Sequence, residues 1–275
     1  MDEGAQTQAS GDARLAERLS DVALEASAAI LAVDFRAAQT ERKADKSPVT
    51  VADMAAQAVI LEGLARVAPH IPVVSEEARC DWQDEKAPRE FLLVDPLDGT
   101  AEFIAGRREY TVNIALVREG RPVLGVIAAP ALGLLWRGAV GHGAERISFA
   151  GRTASAAEVI RTRPWPARER IAAVSRSHFD AASAAFLQRA APVKTIEAGS
   201  ALKFCRVAEG AADVYPRLAP TSEWDVAAGH ALVVAAGGRV VAADGGELAY
   251  GRFAQGFRVG GFIAFGDPAS AARFA

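Results

Sequence analysis

The sequence predicts a mixed α+β and α/β fold in two packed lobes, and three observations favour this class. Helical stripes of apolar residues open the chain, closely spaced apolar strands follow them, and strands alternate with helices in the second half. The polar, proline-containing stretch 151–168 separates the two patterns. We therefore predict a flexible tail over 1–14, an amino-terminal α+β lobe over 15–155 and a carboxy-terminal α/β lobe over 156–275.

The first lobe is predicted to begin with two helices and to continue as strands. The first helix rests on an apolar stripe at helical spacing, formed by Leu15, Leu19, Val22, Ala26, Ile30 and Val33. Thr50 has a side chain suited to capping a second helix. Apolar runs then predict strands over 71–75, 91–95, 110–117, 122–129 and 133–140.

The second lobe shows a regular alternation of elements. Strands are predicted near 170–175, 192–197, 212–215 and 239–242. Helices are predicted near 180–190, 200–209 and 225–236. An alternation of this kind implies a layered α/β lobe.

Composition and charge narrow the class of protein. The chain has 275 residues, of which 51% are hydrophobic and 24% charged, as is typical of a soluble globular protein with a large core. Its formal net charge of −3 argues against a general binder of nucleic-acid polymers, which would be basic. An anionic substrate would then have to be met by local cations.

Cysteine content and hydropathy indicate the compartment. Cys80 and Cys205 are too few for a disulfide framework or a Cys-rich zinc site, so we expect both to be reduced. No apolar stretch reaches the length of a membrane span, and the amino terminus lacks a signal pattern. We expect a cytoplasmic protein without a transmembrane segment, and the sequence leaves peripheral association with the inner membrane open.

The most informative segment is Asp95-Pro96-Leu97-Asp98-Gly99-Thr100, which follows the apolar run 91–94. Residues three apart in a regular strand point to opposite faces. Asp95 and Asp98 can therefore converge only if the chain bends between them, as the proline and the glycine permit. Because converging carboxylates repel one another, we expect the turn to hold a hard cation, with Mg²⁺ as the best fit.

Other interpretations compete with this metal site. An Asp-Gly pair after a strand is common in hairpin turns. An EF-hand loop does not fit, because Leu97 stands where that loop needs a second Asp or Asn. Three further acidic segments favour the metal site, namely SPVTVAD (47–53), the Glu76-Glu77 pair after the strand 71–75, and Trp224-Asp225 before a helical pattern that ends at Gly237-Gly238.

In this order, the four segments resemble the lithium-sensitive, magnesium-dependent phosphomonoesterase superfamily typified by inositol monophosphatase. The pattern of that superfamily is an Asp, then Glu-Glu, then Asp-Pro-(Ile/Leu)-Asp-Gly-(Ser/Thr), and then Trp-Asp with a trailing Gly-Gly. The chain carries every one of these motifs, and the resemblance runs from Leu15 to the end. It implies the layered α-β-α-β-α sandwich of the sugar phosphatases.

Within this superfamily, the chain is similar to the bacterial 3'(2'),5'-bisphosphate nucleotidases. The segments that carry this likeness are SPVTVAD (47–53), DPLDGTAEFI (95–104), YTVNIALV (110–117), VSRSH (174–178), GSALKFCRVAEGAADVYPR (199–217) and EWDVAAGHALVVAAGG (223–238). One departure is Ala101, where these relatives usually carry lysine. It affects one polar contact near the metal site but not the metal site itself.

The resemblance implies a site for two or three Mg²⁺ ions. Glu76, Asp95 and the backbone carbonyl of Leu97 would bind the first ion. Asp95, Asp98 and Asp225 would bind the second. For Asp225 taken alone, capping of the following helix is the competing interpretation.

The resemblance also implies catalytic roles. Thr100 and Asp53 would form a hydroxyl–carboxylate pair that, together with Glu76, orients and deprotonates a metal-activated water. Glu77 is a weaker candidate for such a role than Glu76. It can equally be a solvated carboxylate, or one that hydrogen-bonds to the metal ligands without binding the metal.

Substrate binding is predicted mainly outside the metal cluster. The segment Gly199–Lys203 is the candidate for a second phosphate, because a Gly-Ser turn entering a helix exposes backbone N–H groups and Lys203 adds a positive charge. Its competing interpretation is an ordinary helix start with a solvated lysine. By resemblance His178 lines a nucleotide pocket, whereas His230 is expected to be structural. The full predicted set is Gly99, Thr100, Ser175, His178, Gly199, Ser200, Lys203, Arg217 and Asp225.

The resemblance thus implies a Mg²⁺-dependent, lithium-sensitive phosphomonoesterase of sulfur metabolism. It would hydrolyse the 3'-phosphate of adenosine 3',5'-bisphosphate to leave AMP, with the sulfated nucleotide as a further candidate substrate. The alternative is an inositol monophosphatase or a fructose-1,6-bisphosphatase-like sugar phosphatase. A non-catalytic nucleotide- or metal-binding regulator on the same fold is disfavoured, because no ligand is missing. The partner is a small-molecule bisphosphate nucleotide, and a monomer or homodimer is expected.

Overall fold

Helices and sheets alternate in the structure, a computed structural model that describes residues 3–36, 40–42, 48–78, 88–151, 153–177, 179–190 and 193–274. Two long helices cover the outer face of the first sheet, and two shorter ones lie between the sheets. Two more helices cover the outer face of the second sheet. The layers follow the order α-β-α-β-α, so the predicted sandwich is confirmed.

The five predicted helices are present, together with two that were not predicted. The helices of the described ranges are α1 (Glu3–Leu31), α2 (Val51–Val67), α3 (Thr100–Ile104), α4 (Ala181–Arg189), α5 (Leu202–Ala208), α6 (Ala227–Ala235) and α7 (Pro268–Phe274), of which α3 and α7 were not predicted. Thr50 caps α2 as predicted, because its hydroxyl accepts the N–H of Ala52 at 3.1 Å.

The first sheet follows the order β10-β8-β7-β6-β5-β4-β3, with β9 paired to β8 and a separate β1–β2 hairpin. These strands are β1 (Thr40–Arg42), β2 (Pro48–Thr50), β3 (Val73–Ser75), β4 (Glu90–Asp98), β5 (Thr111–Arg118), β6 (Arg121–Ala129), β7 (Leu134–Ala139), β8 (Gly143–Ala150), β9 (Thr153–Ala154) and β10 (Glu158–Ile160). The pair β3–β4 is parallel. Phe91 and Leu93 of β4 pack into the core between the sheets, whereas Leu92 and Val94 pack under α1 and α2. This strand is therefore buried on both faces, which explains its continuous apolar run.

The second sheet follows the order β12-β11-β13-β17-β15, and β14 pairs with β16 beside it. Its elements are β11 (Arg170–Ser175), β12 (Val193–Ala198), β13 (Val214–Arg217), β14 (Thr221–Ser222), β15 (Arg239–Ala242), β16 (Arg258–Val259) and β17 (Phe262–Phe265). Strand β11 runs parallel to both β12 and β13. The outer face of this sheet is closed by an aromatic cluster in which Phe186, Phe265 and Phe274 are in contact.

Helix α6 lies in the middle layer, and two glycines allow its close packing. A Cβ added at Gly125 of β6 would lie 2.1 Å from the backbone oxygen of Ala228. A Cβ added at Gly229 would lie 2.2 Å from the ring of Phe204. Real side chains do not approach this closely, so both positions require glycine for the observed spacing of the layers.

The predicted flexible tail over 1–14 is wrong, because α1 already begins at Glu3. Asp12 is only 8% exposed and accepts hydrogen bonds from both terminal nitrogens of Arg118, at 2.8 and 2.9 Å. The polar character of this segment indicated a tail, but the ion pair with β5 anchors it to the first sheet.

Two other features differ from, or go beyond, the sequence predictions. Strand β10 pairs with β8 and thus belongs to the first sheet, whereas the second sheet begins at Arg170. The predicted division between an amino-terminal lobe that ends at residue 155 and a carboxy-terminal lobe that begins at residue 156 remains a prediction. Several strands were not predicted, among them β8, in which polar and apolar residues are mixed, and β17, which is only four residues long. Within the described ranges, no helix combines the length and apolar character needed to cross a membrane.

Candidate active site

The predicted site residues lie where strands end. Because β3 and β4 are parallel, Glu76 after β3 lies beside Asp95 of β4. In the second sheet, Ser175 ends β11, Gly199 follows β12 and Arg217 ends β13. The carboxyl ends of such strands are where α/β folds usually place ligands.

The ends of both sets of strands open on one cavity of about 350 Å³. Its walls contain every predicted metal-binding residue and, among the described residues, every predicted substrate-binding residue: Glu76, Asp95, Leu97, Asp98, Gly99, Thr100, Ser175, Gly199, Ser200, Lys203, Arg217 and Asp225. His178 lies outside the described residues. Of the Glu76-Glu77 pair, Glu76 is the residue that lines the cavity.

The Asp95–Thr100 turn bends as its sequence predicts. The pairing of β4 with β5 shifts register between Asp95 and Asp98, so both carboxylates reach the same cavity. The backbone N–H of Leu97 donates to Asp95 Oδ1 at 3.0 Å, while the Leu97 side chain is buried in the core. Gly99 adopts a left-handed conformation, with φ +92°, and leads into α3.

Three carboxylates converge at the base of the cavity. Glu76, Asp95 and Asp225 each offer an oxygen, and these oxygens lie within 4.8 Å of one another. Burial, and after it the negative charge of Glu76, raises the pKa of Asp95 well above its ordinary value. Burial and the charge of Asp98 raise the pKa of Asp225 to about 7. Buried carboxylates held this close need a compensating positive charge, so their donor set fits a hard divalent cation.

Asp98 lies near this group but not within it. Its Oδ2 accepts the hydroxyl of Ser200 at 2.7 Å and the side-chain N–H of Asn113 at 3.4 Å. Its charge nevertheless raises the pKa of both Asp95 and Asp225. Its predicted role as a ligand of a second ion remains a prediction.

Asp225 takes part in two arrangements at once. Its Oδ2 accepts the backbone N–H of Ser222 at 3.1 Å and the hydroxyl of Thr221. Asp225 thus completes a capping box with Ser222 at the short 3-10 turn 223–225. The N-cap of α6 is Val226, so the competing interpretation, in which Asp225 caps the following helix, is wrong. The same carboxylate also belongs to the cluster of three, so capping orients it toward the other two.

Asp53 and Thr100 are in direct contact. Thr100 Oγ1 lies 2.9 Å from Asp53 Oδ1 and 3.1 Å from the carbonyl oxygen of Leu97. The other oxygen of Asp53 accepts the N–H and the hydroxyl of Thr50, each at 2.7 Å. Asp53 is thus fixed by the cap of α2 and lies behind Thr100, which itself faces the cavity.

The 199–203 turn differs from the arrangement that the sequence predicts. The Gly199 N–H is already used, because it donates to Glu109 Oε2 at 3.2 Å. Lys203 is only 2% exposed, and its ammonium donates to the carbonyl oxygens of Ala198, at 3.3 Å, and of Ser200. The interpretation as a solvated lysine is therefore wrong. Burial lowers the pKa of Lys203 to about 8.

Two further predicted residues have contrasting surroundings. Arg217 lines the cavity, and its buried Nε has no hydrogen-bond partner among the described residues. A buried donor of this kind fits an anionic ligand. His230 lies outside the cavity walls, where its Nδ1 is 2.9 Å from the hydroxyl of Tyr250, in agreement with a structural role.

The cavity also contains residues that the sequence analysis did not single out. Glu102, on α3, is 5% exposed and accepts the hydroxyl of Ser177 at 2.6 Å. Tyr215 is buried against Phe204, and its ring centre lies 5.3 Å from Lys203 Nζ. Glu102 could have been predicted as a cavity residue, because it follows the Asp95–Thr100 turn closely in the sequence. For Tyr215, the only signal was its place two residues before Arg217.

Comparison with known proteins identifies the family. Residues 12–260 match the Inositol monophosphatase family. The chain belongs to the inositol monophosphatase family. The curated relatives include 3'(2'),5'-bisphosphate nucleotidase CysQ of Salmonella typhimurium, which is 45% identical over 236 residues, covering 85% of this chain and 93% of the relative. The protein of the same name from Escherichia coli K12 is 44% identical over 76% of this chain and 81% of the relative.

Solved structures of this family share the fold. CysQ from Bacteroides thetaiotaomicron superposes with a TM-score of 0.75 at 36% identity, covering 91% of this chain and 96% of the other. Inositol monophosphatase from Anabaena superposes with a TM-score of 0.72 at 26% identity, covering 96% and 95%. As a member of the inositol monophosphatase family, the chain has a metal-dependent site, and the cluster of three carboxylates suits one.

Proposed function

We propose that this chain is a Mg²⁺-dependent 3'(2'),5'-bisphosphate nucleotidase that converts adenosine 3',5'-bisphosphate to AMP and phosphate. One observation carries the proposal: a single cavity holds the cluster of three carboxylates together with Lys203 of α5 and Arg217 of β13. A substrate with two phosphates can bridge these groups. The names and the high coverage of the curated relatives support the same substrate class.

Glu76, Asp95 and the carbonyl oxygen of Leu97 would hold a first Mg²⁺ ion, as the sequence predicts. Because Asp225 belongs to the same cluster of carboxylates, we add it to this set. Asp98 would join Asp95 and Asp225 in holding a second ion, and we propose two or three ions in all. When bound, magnesium neutralises phosphate charge and promotes the ionisation of water in the cavity. Burial, and after it the neighbouring carboxylates, raise the pKa values of Asp95 and Asp225, and a cation held here would favour their ionised forms, which supports this assignment.

Thr100 and Asp53 are proposed to orient the attacking water and to receive its proton. With its O–H directed to Asp53 Oδ1 at 2.9 Å, Thr100 Oγ1 can accept a hydrogen bond from water in the cavity. A proton can then pass from water to Thr100 Oγ1 while the threonine proton passes to Asp53 Oδ1. Glu76 lines the same cavity and serves as a second acceptor for the water.

Lys203 and Arg217 are proposed to meet the phosphate that is not hydrolysed. The ammonium of Lys203 has three N–H donors, and two have carbonyl acceptors. The Nε of Arg217 is buried without a partner in the described part of the chain. Both groups therefore combine positive charge with donor capacity inside the cavity, which favours an anion there.

A substrate panel tests this proposal. Phosphate release is measured for adenosine 3',5'-bisphosphate, inositol 1-phosphate and fructose 1,6-bisphosphate, with Mg²⁺ and again with excess EDTA. We expect kcat/KM for the nucleotide to exceed the other two by at least about tenfold, and no activity in EDTA. A preference for inositol phosphate or the sugar bisphosphate would support the alternative phosphatase, and hydrolysis in EDTA would contradict the metal mechanism.

We retain two further sequence-based predictions as proposals. The first is a cytoplasmic location, and the second is a monomeric or homodimeric state. Sedimentation of the purified chain measures the second directly, and a trimer or larger assembly would contradict it.

A further inference from the structure

Glu109 packs against two turns that both line the cavity. It belongs to the segment between α3 and β5. A Cβ added at Gly99 would lie 3.2 Å from the backbone oxygen of Glu109, and one added at Gly199 would lie 2.6 Å from that same oxygen. The Asp95–Thr100 turn and the 199–203 turn therefore both pack closely on the main chain of Glu109.

The side chain of Glu109 extends this contact to the second sheet. Its carboxylate accepts two hydrogen bonds from Arg176, at 2.9 and 3.0 Å, and a third from the N–H of Gly199 at 3.2 Å. Arg176 also donates to Glu197 at 2.8 Å. These hydrogen bonds to Arg176 lower the pKa of Glu109, so the carboxylate stays ionised. A bidentate ion pair of this kind fixes the relative orientation of the two side chains better than a single hydrogen bond does.

The turn that Glu109 holds leads directly to the metal-binding side of the cavity. Ser200 follows Gly199 with φ +52°, a left-handed conformation that costs energy for a residue other than glycine. In this conformation its hydroxyl donates to Asp98 at 2.7 Å, and its carbonyl accepts the ammonium of Lys203. Displacement of Gly199 would therefore shift Ser200 and the acceptor that positions Lys203.

We propose that Glu109 is a positioning residue that holds the 199–203 turn in place and so determines the affinity for the phosphate that is not hydrolysed. This inference rests on the proposed function, because it assigns that phosphate to the side of the cavity formed by Lys203 and Arg217. Glu109 would affect binding only by holding the 199–203 turn and Arg176 in place. We do not propose a direct contact between its carboxylate and the substrate.

Binding measurements with the two reaction products test this role without any chemical step. AMP retains the phosphate that the reaction leaves in place, whereas inorganic phosphate represents the one that is removed. Calorimetric titration in Mg²⁺ is carried out with the wild-type chain, Glu109→Ala, Glu109→Gln and the control Glu247→Gln. Glu247 forms an exposed ion pair with Arg121 at 2.5 Å, outside the cavity walls.

We expect Glu109→Ala to weaken AMP binding about tenfold while phosphate binding changes less than about twofold. Glu109→Gln keeps an acceptor for the Gly199 N–H, so its loss should be smaller, at about threefold. The control should bind both ligands as the wild type does. Unchanged AMP affinity in Glu109→Ala, or equal losses for AMP and phosphate, would overturn the inference.

A second variant covers the case in which Glu109→Ala does not fold. Gly199→Ala places a Cβ 2.6 Å from the Glu109 oxygen and must displace the turn with the carboxylate intact. It should show the same selective loss of AMP affinity, and an unchanged ratio of the two affinities would overturn the inference. If the wild-type chain itself binds no AMP, the proposed function fails and this inference fails with it. If the wild-type chain binds AMP and both variants bind it equally well, the inference about Glu109 is contradicted and the proposed function is not.

Discussion

Among single residues, Asp98 differs from the three clustered carboxylates in the partners that it already has. Ser200 and Asn113 donate to its Oδ2, whereas Glu76, Asp95 and Asp225 converge on one point. Its proposed role as a ligand of a second ion can therefore be tested with little disturbance of the fold, because an asparagine oxygen can still accept from Ser200.

Asp98→Asn is expected to lower kcat/KM for adenosine 3',5'-bisphosphate by at least about a hundredfold, since it removes one negative charge from the proposed metal site. Circular dichroism should show the wild-type fold. Asp21→Asn, at an exposed position of α1, is the matched control and should leave the activity unchanged. Near-normal turnover of Asp98→Asn would contradict the assignment of Asp98.

Lys203 provides a pH dependence whose sign follows from its surroundings. Burial, with a smaller contribution from Arg217, lowers the pKa of Lys203 to about 8, although Asp98, Glu102 and Glu109 act in the opposite direction. The ammonium is charged below this pH and neutral above it. The affinity for AMP is therefore expected to fall as the pH rises from 7 to 9.

Titration of AMP across this range measures the effect, with Lys203→Met as the reference. In that variant the affinity at pH 7 should be lower by roughly tenfold or more, and its dependence on pH between 7 and 9 should disappear. A wild-type affinity that stays constant over this range would show that the charge of Lys203 does not act on the nucleotide.

The acidic residues of the site could be predicted from the sequence, but the contacts that hold the 199–203 turn could not. Asp95 and Asp98 could be predicted together because one short turn carries both. Glu109 contacts Arg176 and Gly199, which are 67 and 90 positions away along the chain. No local pattern encodes such pairs, since each partner taken alone is an ordinary polar residue or glycine.

At the scale of elements, the middle layer depends on small residues that face its helices. Gly125 of β6 and Gly229 of α6 leave no room for a side chain against Ala228 and Phe204. The predicted helix 225–236 and strand 122–129 agree with the observed elements, but their separation could not be predicted. That separation is set by pairs of positions in different elements.

Gly125→Ala is expected to destabilise the protein by at least about 2 kcal/mol, because its Cβ would lie 2.1 Å from a backbone oxygen that cannot move independently of α6. Urea denaturation measures the change. Gly11→Ala is the matched control, as nothing lies within 4 Å of its added Cβ. Within α1 this substitution should stabilise by about 0.5–1 kcal/mol, and similar effects of the two variants would contradict the packing argument.

At the scale of the whole molecule, buried negative charge opposes folding unless a cation is present. Asp95 is 1% exposed, and this burial, followed by the charges of the neighbouring carboxylates, raises its pKa. The fold class was predictable because layers follow from the order of strands and helices. The extent of α1 was not, because the ion pair that anchors this segment joins Asp12 to Arg118, which is 106 positions away along the chain.

Addition of Mg²⁺ to the chelator-treated protein is expected to raise its thermal unfolding midpoint. A ligand at 100 times its dissociation constant stabilises the native state by about 2.7 kcal/mol. Differential scanning calorimetry measures the shift, with NaCl at equal ionic strength as the control. Asp225→Asn should lose most of the gain, and an equal shift in that variant would place the stabilising ion elsewhere.

The arrangement of the carboxylate cluster has a consequence for the order of events during synthesis. Glu76 and Asp95 come from the first sheet, whereas Asp225 arrives 130 positions after Asp95, between β14 and α6. An emerging chain that stops before this point carries two of the three acids, however well its first sheet has formed. The complete cluster of three carboxylates is thus available only to a chain whose two sheets have already met, and a cation held by all three would stabilise the finished assembly rather than either part of it.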